Sequence, residues 1–255
     1  MKPVWIIAKA TILENGRKHV FHVLCLLILA VLVGSTLLSI FTEGVKIKML
    51  KDLCMTGILF GGAVLAIALG SSGIPGDVES RTIYPIIARP VTRMQYVAGK
   101  YLGTLLTVVY GLAAMGAIFG VLIFAFEGGP DWSLALVMLF AILEVAVVAA
   151  VATTMSVFAT PATASVLTFM VFVAGSIKIG YFGEMLSKMQ GGAAKLTMGV
   201  FYHLVPNLEC FNIKSVLVHQ EVVPVAYLIQ VLAYGVICSA LVLLIGATRF
   251  SAKEV

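Results

Sequence analysis

Six stretches of this sequence, at about 20–42, 53–74, 98–126, 132–158, 162–182 and 224–247, are apolar almost without interruption. Each is long enough for the roughly 20 residues that a helix needs to cross the hydrocarbon of a bilayer. In lipid every backbone N–H and C=O must be paired within its own segment, which favours helices. The alternation of apolar and polar residues over ~10-residue segments that marks a membrane barrel is missing. Breakers fall between the runs: Pro75-Gly76 after the second, Gly128-Gly129-Pro130 after the third, Pro161 after the fourth and Pro224 at the start of the sixth. The fold class predicted is therefore an all-α membrane protein with six transmembrane helices.

Composition supports this class and narrows it. With 61% hydrophobic and 11% charged residues and a mean hydropathy of +1.09, water alone would not keep the chain dispersed. Six spans use about half of the 255 residues and leave mostly short connectors, so 1–255 reads as a single transmembrane domain. The net charge of +5 does not imply nucleic acid, because the basic residues lie at segment ends rather than on one polar face. The four cysteines, Cys25, Cys54, Cys210 and Cys238, form no CxxC pair, and disulfides and metal clusters are not expected. Lys2, Lys9, Arg17 and Lys18 are spread too widely for the compact basic region of a signal peptide, so an uncleaved N-terminus is expected.

Lysine and arginine counts set the expected orientation. One side of the membrane would hold ten: Lys2, Lys9, Arg17, Lys18, Arg81, Arg89, Arg93, Lys100, Arg249 and Lys253. The other would hold seven: Lys46, Lys48, Lys51, Lys178, Lys188, Lys195 and Lys214. The richer side is taken as cytoplasmic, which puts both termini there. Before the first span, Trp5, Ala8 and Ile12 recur at helical spacing and predict an amphipathic helix over 1–18, lying in the interface; the alternative is the ragged start of the first span. The connector 183–223 is too apolar for a solvated loop. It is expected to form an outer helical hairpin packed into the leaflet or the bundle, with turns at Gly191-Gly192 and Pro206-Asn207.

One polar, Arg-rich segment, 76–96, interrupts the apolar pattern on the cytoplasmic side. Asp77 and Glu79 are placed to charge the N-terminus of a short helix through Thr82–Ala88, although Pro85 shortens or displaces it. Arg89 and Arg93 flank Pro90, and Thr92 is placed to cap the helix that carries Tyr96, Lys100 and Tyr101. The segment reads either as a rigid ridge that fits a groove in another protein or as an ordinary positive-inside loop.

Within the apolar runs Glu144 stands out, midway along the fourth with no charged neighbour in sequence. An ionised carboxylate at bilayer depth costs about 2.5 kcal/mol or more, so Glu144 is expected to face the bundle, protonated or paired. Either it binds a cationic group or shapes the translocation wall, or it is a protonated acid hydrogen-bonded to a neighbouring helix. Lys178, near the outer end of the fifth run, is expected to snorkel outward. His19, His22 and Cys25 share one helix face, yet the apolar surroundings supply neither further ligands nor a polar second shell. His203 and His219 read as ordinary interfacial histidines of the outer loop. The pairs Gly57/Gly61, Gly99/Gly103 and Gly116/Gly120 allow close helix approach, within the chain or between copies.

The string E-x-R-T-I-x-x-I-x-A-R-P-V-T-R-x-x-Y-x-x-G-K-x-L-G at Glu79–Gly103 resembles the signature of type-2 ATP-binding-cassette exporter permeases. So do the amphipathic N-terminal segment, the small and acidic third-to-fourth loop, the string P-N-L-E-x-F-N at Pro206–Asn212 and the short basic C-terminus. Many members carry glycine where this chain has Arg81. The resemblance implies a six-span permease of the cytoplasmic or inner membrane whose second-to-third loop docks on a separate ATPase. The expected coupling residues are Asp77, Glu79, Arg81, Thr82, Ile83, Arg89, Pro90 and Arg93, with Glu144 on the path and Pro206, Asn207 and Glu209 in the outer hairpin. Two permeases, identical or homologous, would join two ATPase subunits for export.

No GxxxxGK[ST] phosphate cradle occurs in the chain, so no cofactor is expected on it, and ATP and magnesium belong to the partner. The competing class is an ATPase-independent membrane protein, a secondary transporter or a scaffold. A secondary transporter should show several intramembrane charges and often an internal repeat, and only Glu144 qualifies.

Overall fold

The computed structural model describes residues 2–19, 21, 22, 26, 30, 34, 46–80, 91–127, 129, 133–178, 183, 185, 193–213 and 223–252. Its elements are α1 (Lys2–Arg17), α2 (Lys46–Glu79), α3 (Arg93–Glu127), α4 (Ser133–Phe158), α5 (Pro161–Ser176), α6 (Ala193–Leu204), a 3-10 turn at Glu209–Phe211 and α7 (Val225–Ala252). No strand occurs among the described residues. Four helices are long and apolar enough to cross a membrane: Leu50–Glu79, Arg93–Ala125, Ser133–Phe158 and Val225–Phe250. The helix Pro161–Ser176 is apolar but shorter. The run at 20–42, expected as the first span, lies almost wholly outside the described residues, as does the segment 81–90.

Helix ends follow local chemistry where the sequence supplies it. Thr92 and Gln95 form a capping box at the start of α3: the Thr92 N–H donates to Gln95 Oε1 at 3.1 Å, and the Gln95 N–H to Thr92 Oγ1 at 3.3 Å. Pro161 opens α5, where its missing N–H costs nothing. Pro75, expected to end the second run, does not: α2 runs through it to Glu79. A membrane helix tolerates such a proline because neighbouring groups can satisfy the freed carbonyl. At 34 residues α2 is about 51 Å long, more than the ~30 Å hydrocarbon, so it cannot lie wholly within it as a straight crossing.

In the fifth run the α-helix ends at Ser176, where the Ile177 N–H closes the last turn on Val173 O at 3.3 Å. The carbonyl of Gly175 instead accepts from the backbone N–H of Leu208 at 3.2 Å, so the chain after α6 completes what the helix leaves open. Leu208, Phe211 and Ile213 are buried, and the turn therefore packs into the bundle rather than on its surface.

The hub is α4, which touches α2, α3, α5, α7 and the 3-10 turn. It is rich in Ala and Val and buried over most of its circumference. In lipid such packing rests on close van der Waals contact, which small residues permit. A Cβ on Gly70 of α2 would lie 2.7 Å from the Ala152 Cβ of α4. Hydroxyls inside the bundle are satisfied locally: Thr107, Thr153 and Thr168 each donate to the carbonyl four residues before them. Others tie helices together, with Ser71 Oγ 2.6 Å from Ser165 Oγ and Thr154 Oγ1 donating to Val242 O at 3.0 Å.

Candidate functional site

A site takes shape at the end of the bundle where α2 finishes and α3 begins, on the two flanks of 81–90. Lys100 lies two turns into α3 and is 5% exposed, a position where an ammonium needs a counter-charge. It has two. Its Nζ is 2.7 Å from Asp77 Oδ2 at the end of α2 and 3.1 Å from Glu14 Oε2 on α1. The Tyr96 hydroxyl, one turn before Lys100, donates to the same Asp77 oxygen. Lys18 closes the chain of charges at 3.0 Å from Glu14 Oε1. Burial opposes the charge on Glu14, but Lys100, and after it Lys18, outweigh that penalty and hold its carboxyl below the ordinary value of 4.5.

Beneath the charges lies a small apolar cluster of Ile7, Ile74, Tyr96, Val97, Val157, Ala247 and Phe250, drawn from α1, α2, α3, α4 and α7. Tyr96 and Phe250 stack at 5.6 Å between ring centroids. Arg93 Nη1 donates to Phe250 O at 3.0 Å, and its guanidinium carbon is 5.9 Å from the centroid of the Phe250 ring. Five helices thus meet in this cluster, beside Asp77 in the last turn of α2 and Arg93 at the start of α3.

The expected site residues take the following places. Asp77 is buried at 7% exposure in the last turn of α2, paired to Lys100 and Tyr96, while the helix expected through Thr82–Ala88 lies outside the described residues. Arg93 is not a free solvent arginine but is half-buried against the end of α7. Glu79 is exposed as expected, whereas Arg81, Thr82, Ile83, Arg89 and Pro90 lie outside the described residues. On α1 the packed face is Ile7, Ala8, Thr11 and Asn15, while Trp5, at 60% exposure, points away from it. The physical reason is the ridge at Gly99 and Gly103: a Cβ there would come within 2.7 Å of Ile7 Cβ and within 2.5 Å of Thr11 Cβ, respectively. This small-residue pair receives α1 of the same chain. Gly116 likewise faces Met138.

Sequence reasoning missed the role of Glu14, Tyr96 and Lys100. The signal was present, because a lysine inside an apolar run demands an acid at its own depth and side. Only Asp77, Glu79 and Glu14 stand on the expected side within reach of the first two runs' ends.

The opposite half of the bundle holds the other candidates. Lys178 does not snorkel: at 9% exposure its Nζ donates to Val205 O at 2.6 Å and sits 4.7 Å from the Tyr202 ring centroid. The chain over α6 folds back across it, so a backbone carbonyl and a ring face replace solvent. The Asn207 N–H donates to Tyr234 Oη at 2.6 Å, and the Tyr227 hydroxyl donates to Cys210 O at 2.7 Å. The Pro206 carbonyl rests against Gly175, where a Cβ would come within 2.7 Å of it, and Glu209 opens the 3-10 turn. Glu144 is 6% exposed, and its Oε2 has no hydrogen-bond partner among the described residues. His22 Nδ1 lies 3.2 Å from Lys18 O, and Cys25 lies outside the described residues.

Two comparisons bear on these features. No match was found among curated proteins. A family model described as "ABC-2 family transporter protein" matches residues 5–255, a range that takes in the ion-paired end, the buried turn and all four candidate spans. The chain therefore belongs to the ABC-2 family of transporter membrane proteins.

Proposed function

We propose that this chain is the permease subunit of an ATP-driven exporter and receives its power stroke through 76–96 from a separate ATPase. The observation that carries this reading is the ion-paired end. A segment that transmits force must be anchored at both of its ends to elements that move as one. Here Asp77 on one flank and Arg93, Tyr96 and Lys100 on the other are tied to α1, α3 and α7 by charge-assisted contacts. Displacement of the segment is then felt at once by helices on either side of the hub α4.

In this reading two permeases, identical or homologous, join two ATPase subunits that hold ATP and magnesium. The site lies at the cytoplasmic face of the cytoplasmic membrane, with both termini there, and Glu144 lies on the path. Residues 1–255 act as one transmembrane domain, with Pro206, Asn207 and Glu209 in an extracytoplasmic element that closes the outer side.

The test is affinity purification of the tagged chain from its native membrane in mild detergent, followed by identification of co-purifying chains and assay of ATP hydrolysis. A nucleotide-binding subunit recovered in stoichiometric amount with hydrolysis is the expected result. A chain that purifies reproducibly alone, without hydrolysis, overturns the proposal in favour of an ATPase-independent membrane protein.

A further inference from the structure

Helix α1 has two opposite faces, and contacts within the chain account for one of them. At about 100° per residue, Ile7, Ala8, Thr11 and Asn15 share a side, and all four are buried. A Cβ on Gly99 would meet Ile7 and one on Gly103 would meet Thr11, so this side lies on α3. Trp5, Ile6, Lys9, Leu13 and Arg17 fall within about 120° on the other side. All five are exposed, Trp5 at 60%, Ile6 at 62% and Leu13 at 57%. A continuous face with three large apolar side chains turned outward calls for a partner.

The charges on that face name the partner's chemistry. Lys9 and Arg17 form no ion pair among the described residues, and no acid lies between them on the face. Glu14 turns to the flank, where Lys18 takes one of its oxygens at 3.0 Å and Lys100 the other at 3.1 Å. A tryptophan, two aliphatic side chains and two unpaired cations make a face suited to a layer of anionic headgroups. The apolar groups reach towards the acyl chains there while the cations stay with the phosphates.

The position of α1 in the bundle matches that layer. On α7, Ile237, Leu241 and Ile245 recur every fourth residue, each 57 to 59% exposed, along a helix long and apolar enough to span. The next residue of this stripe is Arg249, which is exposed and forms no ion pair among the described residues. Ile7 of α1 packs in one cluster with Ala247 and Phe250, which bracket that changeover from apolar to basic. A basic residue that ends a lipid-facing stripe sits at headgroup depth, and the apolar run at 20–42 follows α1 directly. We infer that the outward face of α1 binds anionic phospholipid headgroups through Lys9 and Arg17, with Trp5, Ile6 and Leu13 as its apolar anchors. Because Glu14 ties the same helix to Lys100, lipid on one side of α1 holds it against the ion-paired end on the other. This binding does not depend on the transport reading above.

The test is quenching of Trp5 by brominated lipid in the full-length chain, with Trp132 replaced by Phe, in nanodiscs of phosphatidylcholine. The discs carry the same mole fraction of either brominated phosphatidylglycerol or brominated phosphatidylcholine. At low salt the brominated phosphatidylglycerol should quench at least twofold more strongly, and the excess should shrink as salt is raised. Lys9→Gln/Arg17→Gln should bring the two lipids to equal quenching without lowering the thermal midpoint, since both side chains are exposed. Lys9→Arg/Arg17→Lys, which keeps both charges, should keep the excess. Equal quenching by the two lipids before any change at Lys9 and Arg17 means an apolar contact without headgroup selection and overturns the inference. An excess that survives the neutral double substitution overturns it too. Quenching by neither lipid sets the face against protein or water and likewise overturns it.

Discussion

Lys100 shares its one positive charge between Asp77 at 2.7 Å and Glu14 at 3.1 Å, and both it and Asp77 are almost fully buried. Removing one member of a buried pair leaves the other uncompensated, at a cost of about 3 kcal/mol. Lys100→Met is therefore expected to lower the thermal midpoint in detergent by several degrees. The double variant Lys100→Met/Asp77→Asn should lose less than the single, because no bare carboxylate remains; an equal or larger loss would argue against the pairing. Glu14 makes a second test. Its pKa is depressed in the fold, so the contact stabilises the protein above the ordinary value of 4.5 and that contribution is lost as pH falls through the lowered one. With Trp132 replaced by Phe, Trp5 on α1 is the single tryptophan, and its emission should shift as pH is lowered past that range. Glu14→Gln should remove the transition. The residues were legible unequally: Glu144 and Lys178 announce themselves by being charged in apolar runs, but nothing in their neighbourhood names a partner. Lys178 found one in Val205 O, 27 residues away, and Glu144 found none among the described residues.

Elements are held here by absence of side chains as much as by contacts. A Cβ at Gly103 would come within 2.7 Å of the Ala8 carbonyl as well as crowding Thr11, and backbone cannot yield as a flexible side chain does. Gly103→Val is expected to push α1 off α3 at a cost of about 1–3 kcal/mol, the range for overpacking. Gly16 of α1 meets nothing within 4 Å, and Gly16→Ala should be neutral or raise stability by up to about 1 kcal/mol through helix propensity. Thermal unfolding of the two variants side by side checks the contrast; equal behaviour would mean that α1 does not rest on the glycine ridge. The spacing of Gly99 and Gly103 made close approach legible in sequence, but not which helix approaches. Periodicity placed Trp5, Ala8 and Ile12 on one apolar face of α1 turned to lipid; Trp5 is exposed at 60%, whereas Ala8 joins Ile7, Thr11 and Asn15 on the face packed against the chain. A helix in lipid can turn its bulky apolar residues outward and its small or polar ones to a neighbour, and which small residues do so depends on that neighbour.

At the scale of the molecule, the proposed coupling through 76–96 predicts that its two arginines behave differently. Arg93 holds the end of α7 through Phe250, so Arg93→Glu should both lower stability and weaken coupling. Arg89→Glu should leave the membrane-inserted amount and the thermal midpoint unchanged while cutting stimulated ATP hydrolysis at least tenfold in the purified complex. Normal hydrolysis in that variant would remove Arg89 from the docking surface. Long apolar runs separated by proline, glycine and charge determined by themselves that this chain is helical and multi-pass, because unpaired backbone is intolerable in lipid. Local chemistry likewise placed the start of α3 at Thr92 and of α5 at Pro161. Breakers were less reliable: α2 passes through Pro75. Only the tertiary structure decided that Glu14, Asp77 and Lys100 meet, that the turn at 206–213 descends into the bundle, and that Lys178 is met by Val205 O. Such contacts join residues dozens of positions apart, and their geometry depends on how whole helices lean on one another, which no local pattern encodes.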